Sequence, residues 1–354
     1  MEALGEVAGG KDPAVEKQAS RAAARAEREA EHDAIERVAP LFIEKHAKGT
    51  RDWKETERLL KREVVDPWKG RRLSSIKRPD VYALLDGIID RGAPSTARHA
   101  FAALRVLCGF AVARGLIEKN PCEGVTPPPA AAARDRVLSD EEVRLAWRAF
   151  ERVGWPFGPF AKLLLLTGAR RSEVAGMRRG ELDLAERTWT IPAARSKNRR
   201  ENIIPLSDAA IRVIEGLPII DGSDFIFSTT GSTAISGFSH VKGAIDRAIL
   251  EDIRDEAEAR GDDLAEVKPP EPWTLHDLRR TVATNLQKLG VRLEVTEACL
   301  NHVSGSRGGI VGVYQKYGFE PEKRMALDAW SRKLADIVRG DSAASNVVAL
   351  KTPA

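Results

Sequence analysis

Apolar positions recur at helical spacing through most of the chain. Between Trp53 and Val125, three sets fall at i, i+3 and i+4 intervals: Leu59, Leu60, Val64 and Val65; Val81, Leu84, Leu85, Ile88 and Ile89; Leu104, Leu107, Ala111 and Val112. That spacing places one buried stripe on each of a series of amphipathic helices. Gly70, Pro79 and Pro94 punctuate the series, so a bundle of three or four helices is predicted. Upstream, from Ala14 to about Lys48, Ala, Arg and Glu dominate and Pro40 is the single breaker. This stretch is predicted to form one long, mostly solvated helix with little apolar stripe in its first half.

The pattern is interrupted by Pro127, Pro128 and Pro129 followed by Ala130 to Ala133, a stiff stretch that cannot continue a helix and suits a linker. Beyond it, Ser139 with Glu142 three residues later is a capping-box start for a helix carrying Val143, Leu145 and Trp147. A second helix is predicted from about Phe157 to Leu166. Trp189–Ile191 and Asn202–Leu206 have strand character, with Ala194–Glu201 as the turn of an antiparallel pair. Helical spacing then resumes, and the acidic piece from Glu251 to Glu266 reads as a solvated insertion. The expected fold is mainly α with a small antiparallel β-sheet. Its expected divisions are an N-terminal helix (1–39), a helical domain (40–126), a linker (127–133), a mixed α+β domain (134–339) and a flexible tail (340–354).

Composition narrows the class. With 354 residues, the chain is long enough for two domains, each with its own core. No apolar run approaches the roughly 20 residues needed to cross a bilayer, and the N-terminus lacks a secretory signal, so an intracellular, cytoplasmic protein is expected. Cys108, Cys122 and Cys299 are too few and too scattered for a disulfide framework or a zinc site. Lys and Arg number 56 against 52 Asp and Glu, a net charge of +4. That balance permits a locally basic face, which is what binding to phosphates requires.

Four local patterns carry chemistry. In LLLLTGARRSEVAG, an apolar helix ends at Thr167 and Gly168, and Arg170 follows with Glu173 one helical turn on. Taken alone, this is a helix end with a surface ion pair. The turn containing Arg195, Ser196, Lys197, Asn198, Arg199 and Arg200 is either a solvated hairpin tip or a basic one shaped to enter a DNA groove, where Arg195, Asn198, Arg199 and Arg200 would contact DNA. In WTLHDLRRT, Thr274 caps a helix that projects His276 and Arg279 from one face. A guanidinium beside an imidazole repels a metal cation but suits an anion. In ACLNHVSGSRGGIVGVYQKY, His302 ends a helix, a Gly-rich loop follows, and Tyr314 and Tyr317 come next; Tyr82 is the only other tyrosine.

Together these residues suit attack on a phosphodiester. Arg170 and Arg279 match the non-bridging oxygens bidentately. No carboxylate cluster is placed to hold two metals, so the nucleophile must be a side chain, and no metal or other cofactor is expected. A phenol, with a reference pKa of about 10, needs help from a base or a cationic field, which His276 or His302 could supply. Lys197 is the natural proton donor to the leaving 5′ hydroxyl.

At this point the chain resembles the tyrosine recombinases, and within them the integrases of temperate phages and genomic islands. TGARRSE around Arg170, HDLRRT around His276 and Arg279, LNH at His302 and VGVYQKY at Tyr314 are similar to the family's motifs, and Lys197 is similar to its hairpin lysine. The resemblance spans roughly Phe42 to Leu334. It implies a helical core-binding domain and a mixed catalytic domain clamping DNA as a C. It also implies a 3′-phosphotyrosyl intermediate without metal or nucleotide, double-stranded attachment sites, and a tetramer of protomers exchanging strands through a Holliday junction. An excisionase or a host DNA-bending protein would act as partner. The chain departs from the pattern in two ways. Tyr314 lies twelve positions after His302, further than in simpler members, which leaves Tyr317 as an alternative nucleophile although the VGVY context favours Tyr314. Only the tail helix of an arm-type DNA-binding domain is recognisable at the start, as expected of a truncated chain or of one that dispenses with arm binding. The rival readings are a type IB topoisomerase-like relaxase and a catalytically silent DNA-binding regulator of the same fold.

Overall fold

The structure is a computed structural model that describes residues 17–18, 32–130, 134–302 and 317–340. The chain divides into two compact units, Met1–Ala133 and Arg134–Ala354.

The first unit is built on α1 (Ile35–Lys45), α2 (Trp53–Leu60), α3 (Arg78–Asp90) and α4 (Pro94–Ala113), with one wide helical turn at Lys61–Val65 continuing α2. Pro79 and Pro94 lie in the first turns of their helices, where the missing N–H has no intrahelical partner to lose. Val38, Phe42, Leu60, Val64, Val81, Leu85, Leu104 and Leu107 form the core.

Two expectations change here. The described part of the upstream stretch is only partly solvated: Lys17 and Gln18 are exposed, but Ile35, Val38, Ala39, Phe42 and Ile43 of α1 are buried. α1 therefore belongs to the bundle and crosses the expected division at 39/40. α4, at 20 residues, is long and apolar enough to cross a membrane by length and composition, contrary to the expectation that no segment would be. Its Ala97, Ala100, Phe101, Leu104, Leu107, Cys108 and Ala111 are instead buried in the bundle.

The second unit opens with α5 (Asp140–Val153). Its cap forms as the sequence predicts: the Ser139 hydroxyl accepts from the Glu142 N–H at 3.2 Å, and the Glu142 carboxylate accepts from the Ser139 N–H at 2.8 Å. α6 (Phe157–Thr167) and the short α7 (Arg171–Ala175) follow. The predicted hairpin is β2 (Thr188–Ile191) against β3 (Asn202–Pro205), and a two-residue strand β1 (Leu182–Asp183), absent from the sequence reading, pairs with the other edge of β2. Three antiparallel strands in the order β1-β2-β3 result. The remaining α-helices among the described residues are α8 (Asp208–Glu215), α9 (Phe238–Arg260), α10 (Leu275–Lys288), α11 (Leu293–Cys299) and α12 (Glu320–Arg339).

α12 ties the helices to the sheet. The indole of Trp330 donates to the Leu165 carbonyl at 2.8 Å, and the buried Lys323 ammonium reaches Asn202 and the Ile203 carbonyl on β3. The acidic stretch is solvated only in part: residues 261–266 are exposed beyond the helix, but the rest is not an insertion. Residues up to Arg260 continue α9, and Asp252, only 6% exposed, meets Arg152 of α5 at 2.6 Å while Glu256 meets Arg148 at 2.6 Å. Its carboxylates line up against a row of α5 arginines, a partner that local composition cannot reveal.

Gly158 shows how closely α5 and α6 approach. A Cβ there would stand 2.0 Å from the Phe150 carbonyl oxygen, which no side-chain rotation can relieve. Gly158→Ala is expected to destabilise this unit by about 3 kcal/mol or more. Denaturant unfolding would read this as a lower midpoint, and an unchanged midpoint would contradict the close approach.

Candidate active site

α6 ends in Gly168, whose φ of +63° gives a left-handed cap. A Cβ there would lie 3.1 Å from both Leu300 Cδ2 and Val282 Cγ1, so glycine meets both the backbone and the space requirement. The turn presents the Gly168 carbonyl to Arg279 on α10. Arg279 is 4% exposed, and its two terminal nitrogens donate to the carbonyls of Gly168 and Leu300. Burial, reinforced by the neighbouring Arg170, pushes its guanidinium pKa down to about 10, which still leaves it charged at neutral pH.

Arg170 occupies the N-cap position of α7. The Glu173 carboxylate accepts from the Arg170 backbone N–H at 2.9 Å and from Nη1 at 2.8 Å, and Arg170 Nη2 donates to the Asn301 carbonyl at 2.8 Å. Glu173 is 2% exposed, so this is a buried bracket for the guanidinium and not a surface ion pair. The two arginines thus converge on the carbonyls of Gly168, Leu300 and Asn301. Like charges held this close need a counter-charge, and Glu173, paired directly with Arg170 and felt by Arg279, supplies one. The site is primed for an anion.

His276 lies at the start of α10 and His302 just beyond α11. Both imidazoles are held below their usual pKa, first by burial and then by cationic neighbours: Arg280, Arg279 and Arg170 around His276, and Arg279 and Arg170 around His302. Each also sits within the field of the same two arginines, which gathers four of the predicted residues around one spot. α10 starts where expected, but by a different bond. The Thr274 hydroxyl donates to the buried Asp277 carboxylate at 2.9 Å, and the Thr274 N–H donates to it at 2.7 Å.

The hairpin contributes differently from its tip-like sequence. Lys197 is exposed and, with Arg170, His276, Arg171, Ser172 and Lys242, helps line a cavity of about 670 Å³. Arg195, expected to contact DNA, is held within the protein: it pairs with Glu181 at 2.6 and 2.7 Å and donates to the Glu173 carbonyl at 3.3 Å. Gly176 leaves room for it, since a Cβ there would come within 2.5 Å of Arg195 Nη1. Asn198 also turns inward, donating to the Asn301 carbonyl at 2.6 Å. Arg199 and Arg200 are exposed. Tyr314 lies outside the described residues. Tyr317 is exposed at the start of the last described stretch, and its hydroxyl donates to Glu322 at 3.1 Å.

The sequence reading passed over Asn301, Arg171, Ser172 and Lys242. Asn301 stands inside the LNH motif, but nothing in its type or spacing announces that its carbonyl is the acceptor on which Arg170 and Asn198 meet. Lys242 lies four residues before Asp246, with which it pairs, and 4.1 Å over the Trp273 ring. That spacing reads as an ordinary helical ion pair until the cavity is seen.

Comparison with known proteins places the chain in a family. The phage integrase family matches residues 140–314, and the phage integrase central domain matches residues 35–127. Prophage integrase IntA of Escherichia coli K12 is 29% identical over 186 residues, covering 52% of this chain and 39% of that protein. Prophage integrase IntZ of the same strain is 25% identical over 293 residues, covering 81% of this chain and 67% of its own length. This chain therefore spans about two fifths of the first relative and two thirds of the second. Among solved structures, λ integrase (residues 75–356) as a dimer bound to a COC′ core site superposes with a TM-score of 0.55 at 18% identity, covering 78% of this chain and 97% of that one. The λ integrase tetramer bound to a Holliday junction gives 0.53 at 19% identity, covering 79% of each chain. At these identities the structures speak for the fold alone, whereas both family matches fall on the two units and the larger one holds every described site residue. The chain belongs to the phage integrase family of tyrosine recombinases.

Proposed function

We propose that the protein is a site-specific DNA recombinase that integrates or excises a mobile element by cutting and rejoining strands. Arg170 and Arg279 hold the non-bridging oxygens of the scissile phosphate. Tyr314 attacks phosphorus, a 3′-phosphotyrosyl bond forms, and the bond from phosphorus to the 5′ oxygen breaks. The phenolic proton passes to His276 or His302, and the leaving oxygen takes a proton from Lys197. A 5′ hydroxyl from a second duplex then reverses the step, so the energy of the broken bond is kept in the intermediate. The substrate is a double-stranded attachment site. Four copies of the chain act together, as in the λ integrase tetramer, with an excisionase or a host DNA-bending protein setting direction at the nucleoid.

The observation that carries this reading is the convergence of Arg170 and Arg279 on three backbone carbonyls, with both histidines in their field. Two fixed guanidiniums with donors to spare fit the charge that builds on phosphate oxygens during attack. The test is a duplex from the element's attachment region, nicked near the cleavage site so that the cut fragment diffuses away. Protein should become covalently joined to a 3′ phosphate, leaving a free 5′ hydroxyl. Absence of the adduct on every such duplex would overturn the reading.

The depressed histidine pKa values set a pH dependence. An imidazole that accepts the phenolic proton must start neutral, and both are held below the ordinary value of about 6.5 by burial and by Arg279 and Arg170. Cleavage should stay undiminished as pH falls through that ordinary value and decline only below it. Single-turnover rates between pH 5 and 8 would check this; a decline beginning at or above 6.5 would contradict it.

A further inference from the structure

Asn301 joins the arginine clamp to the Lys197 hairpin through both its carbonyl and its side-chain amide. Its carbonyl accepts from Arg170 Nη2 at 2.8 Å and from Asn198 Nδ2 at 2.6 Å, and its own amide donates to the buried Ser196 hydroxyl at 3.0 Å. Ser196 and Asn198 are the two chain neighbours of Lys197. The residue before it, Leu300, offers the carbonyl that holds Arg279. Asn301 is 6% exposed and has a φ of +48°, a left-handed conformation that asparagine tolerates better than most side chains. That turn lets the carbonyl and the side chain of one residue reach two elements.

We propose that Asn301 is a positioning residue that locks the Lys197 hairpin in register with the Arg170–Arg279 clamp. The proposal rests on the recombinase reading. Lys197 is exposed on a flexible four-carbon stem, and holding its ammonium near one leaving oxygen costs side-chain entropy. Anchoring the backbone on both sides of the lysine reduces the space it must search. Anchoring it to the acceptor of Arg170 makes proton donor and phosphate holder one rigid piece. Arg195, pinned to Glu181 and to the Glu173 carbonyl, fixes the near end of the same hairpin.

The chemistry provides a readout that a purely structural role would not move. When the P–O5′ bond breaks, the oxygen needs the Lys197 proton; when sulfur replaces that bridging oxygen, it leaves as a thiolate and needs none. Two variants separate the parts of the latch. Asn301→Gly keeps the left-handed backbone and the carbonyl but removes the amide. Asn198→Ala removes the hairpin's donor and leaves Asn301 untouched, so it tests the latch even if the first variant fails to fold. On a nicked duplex from the attachment region, each is expected to slow covalent cleavage by about 10- to 100-fold. With 5′-bridging sulfur, each should cleave at close to the rate of the unaltered protein, as Lys197→Ala should. Equal slowing on both duplexes would assign Asn301 and Asn198 a structural role and overturn the proposal, as would no slowing on either. If the unaltered protein formed no adduct on either duplex, the recombinase reading itself would fall, and this proposal with it.

Discussion

Tyr314→Phe is expected to abolish the covalent adduct on a nicked attachment-region duplex, while Tyr317→Phe leaves it in place. The substitution removes one oxygen and keeps the ring, so lost cleavage reports lost nucleophile and not lost packing. Tyr317 is poorly suited to attack. Its hydroxyl donates to Glu322, and that carboxylate pushes the phenol pKa above its ordinary value, further from the phenolate. Attack needs the opposite field, the one Arg170 and Arg279 create around His276 and His302. Denaturing gels with labelled DNA would read both variants. Loss of the adduct in Tyr317→Phe alone would reverse the assignment.

Arg279→Ala is expected to cut the cleavage rate by about 100- to 1,000-fold, the usual cost of removing one fixed donor to a developing oxyanion. Arg279 also carries structure, because its terminal nitrogens satisfy the carbonyls of Gly168 and Leu300 inside the protein. Leaving a buried acceptor unpaired costs about 1–3 kcal/mol, so the variant should also melt earlier. The two effects separate when adduct formation is measured well below the variant's own melting temperature. Arg279→Lys retains the charge but presents one ammonium in place of a planar fork. It cannot bridge two carbonyls and still face the phosphate, and its rate is expected to stay close to that of the alanine variant. Restoration of wild-type cleavage by lysine would mean that charge alone is needed, and would contradict the bidentate geometry.

Much of the architecture was legible before any coordinates. Apolar spacing located α2, α3, α4 and α6, the Ser139–Glu142 pair located the start of α5, and alternating strands around a polar turn located the hairpin. Those signals are local: each depends on residues within a turn or two of one another. The same is true of His276 and Arg279, which share a helix face whatever surrounds it. Arg170 with Glu173 was legible as a pair, but its burial was not.

What the sequence alone determined is a mainly helical chain with a small antiparallel sheet, and a candidate inventory for its site: two arginines, two histidines, a hairpin lysine and a choice of two tyrosines. Only the tertiary structure decided which polar groups face the anion and which hold the frame. Arg195 and Asn198 looked like the side chains of a solvated tip and have partners inside the protein, because Glu181 and the Asn301 carbonyl stand where such a tip would have had water. The acidic run of α9 looked like solvated surface and became the partner of Arg148 and Arg152. α1 looked exposed until the rest of the bundle buried its apolar face. The physical reason is the same in each case. A charge or an amide is indifferent between water and a well-placed partner until folding brings that partner close, and the partners here lie from 14 to more than 100 positions away along the chain.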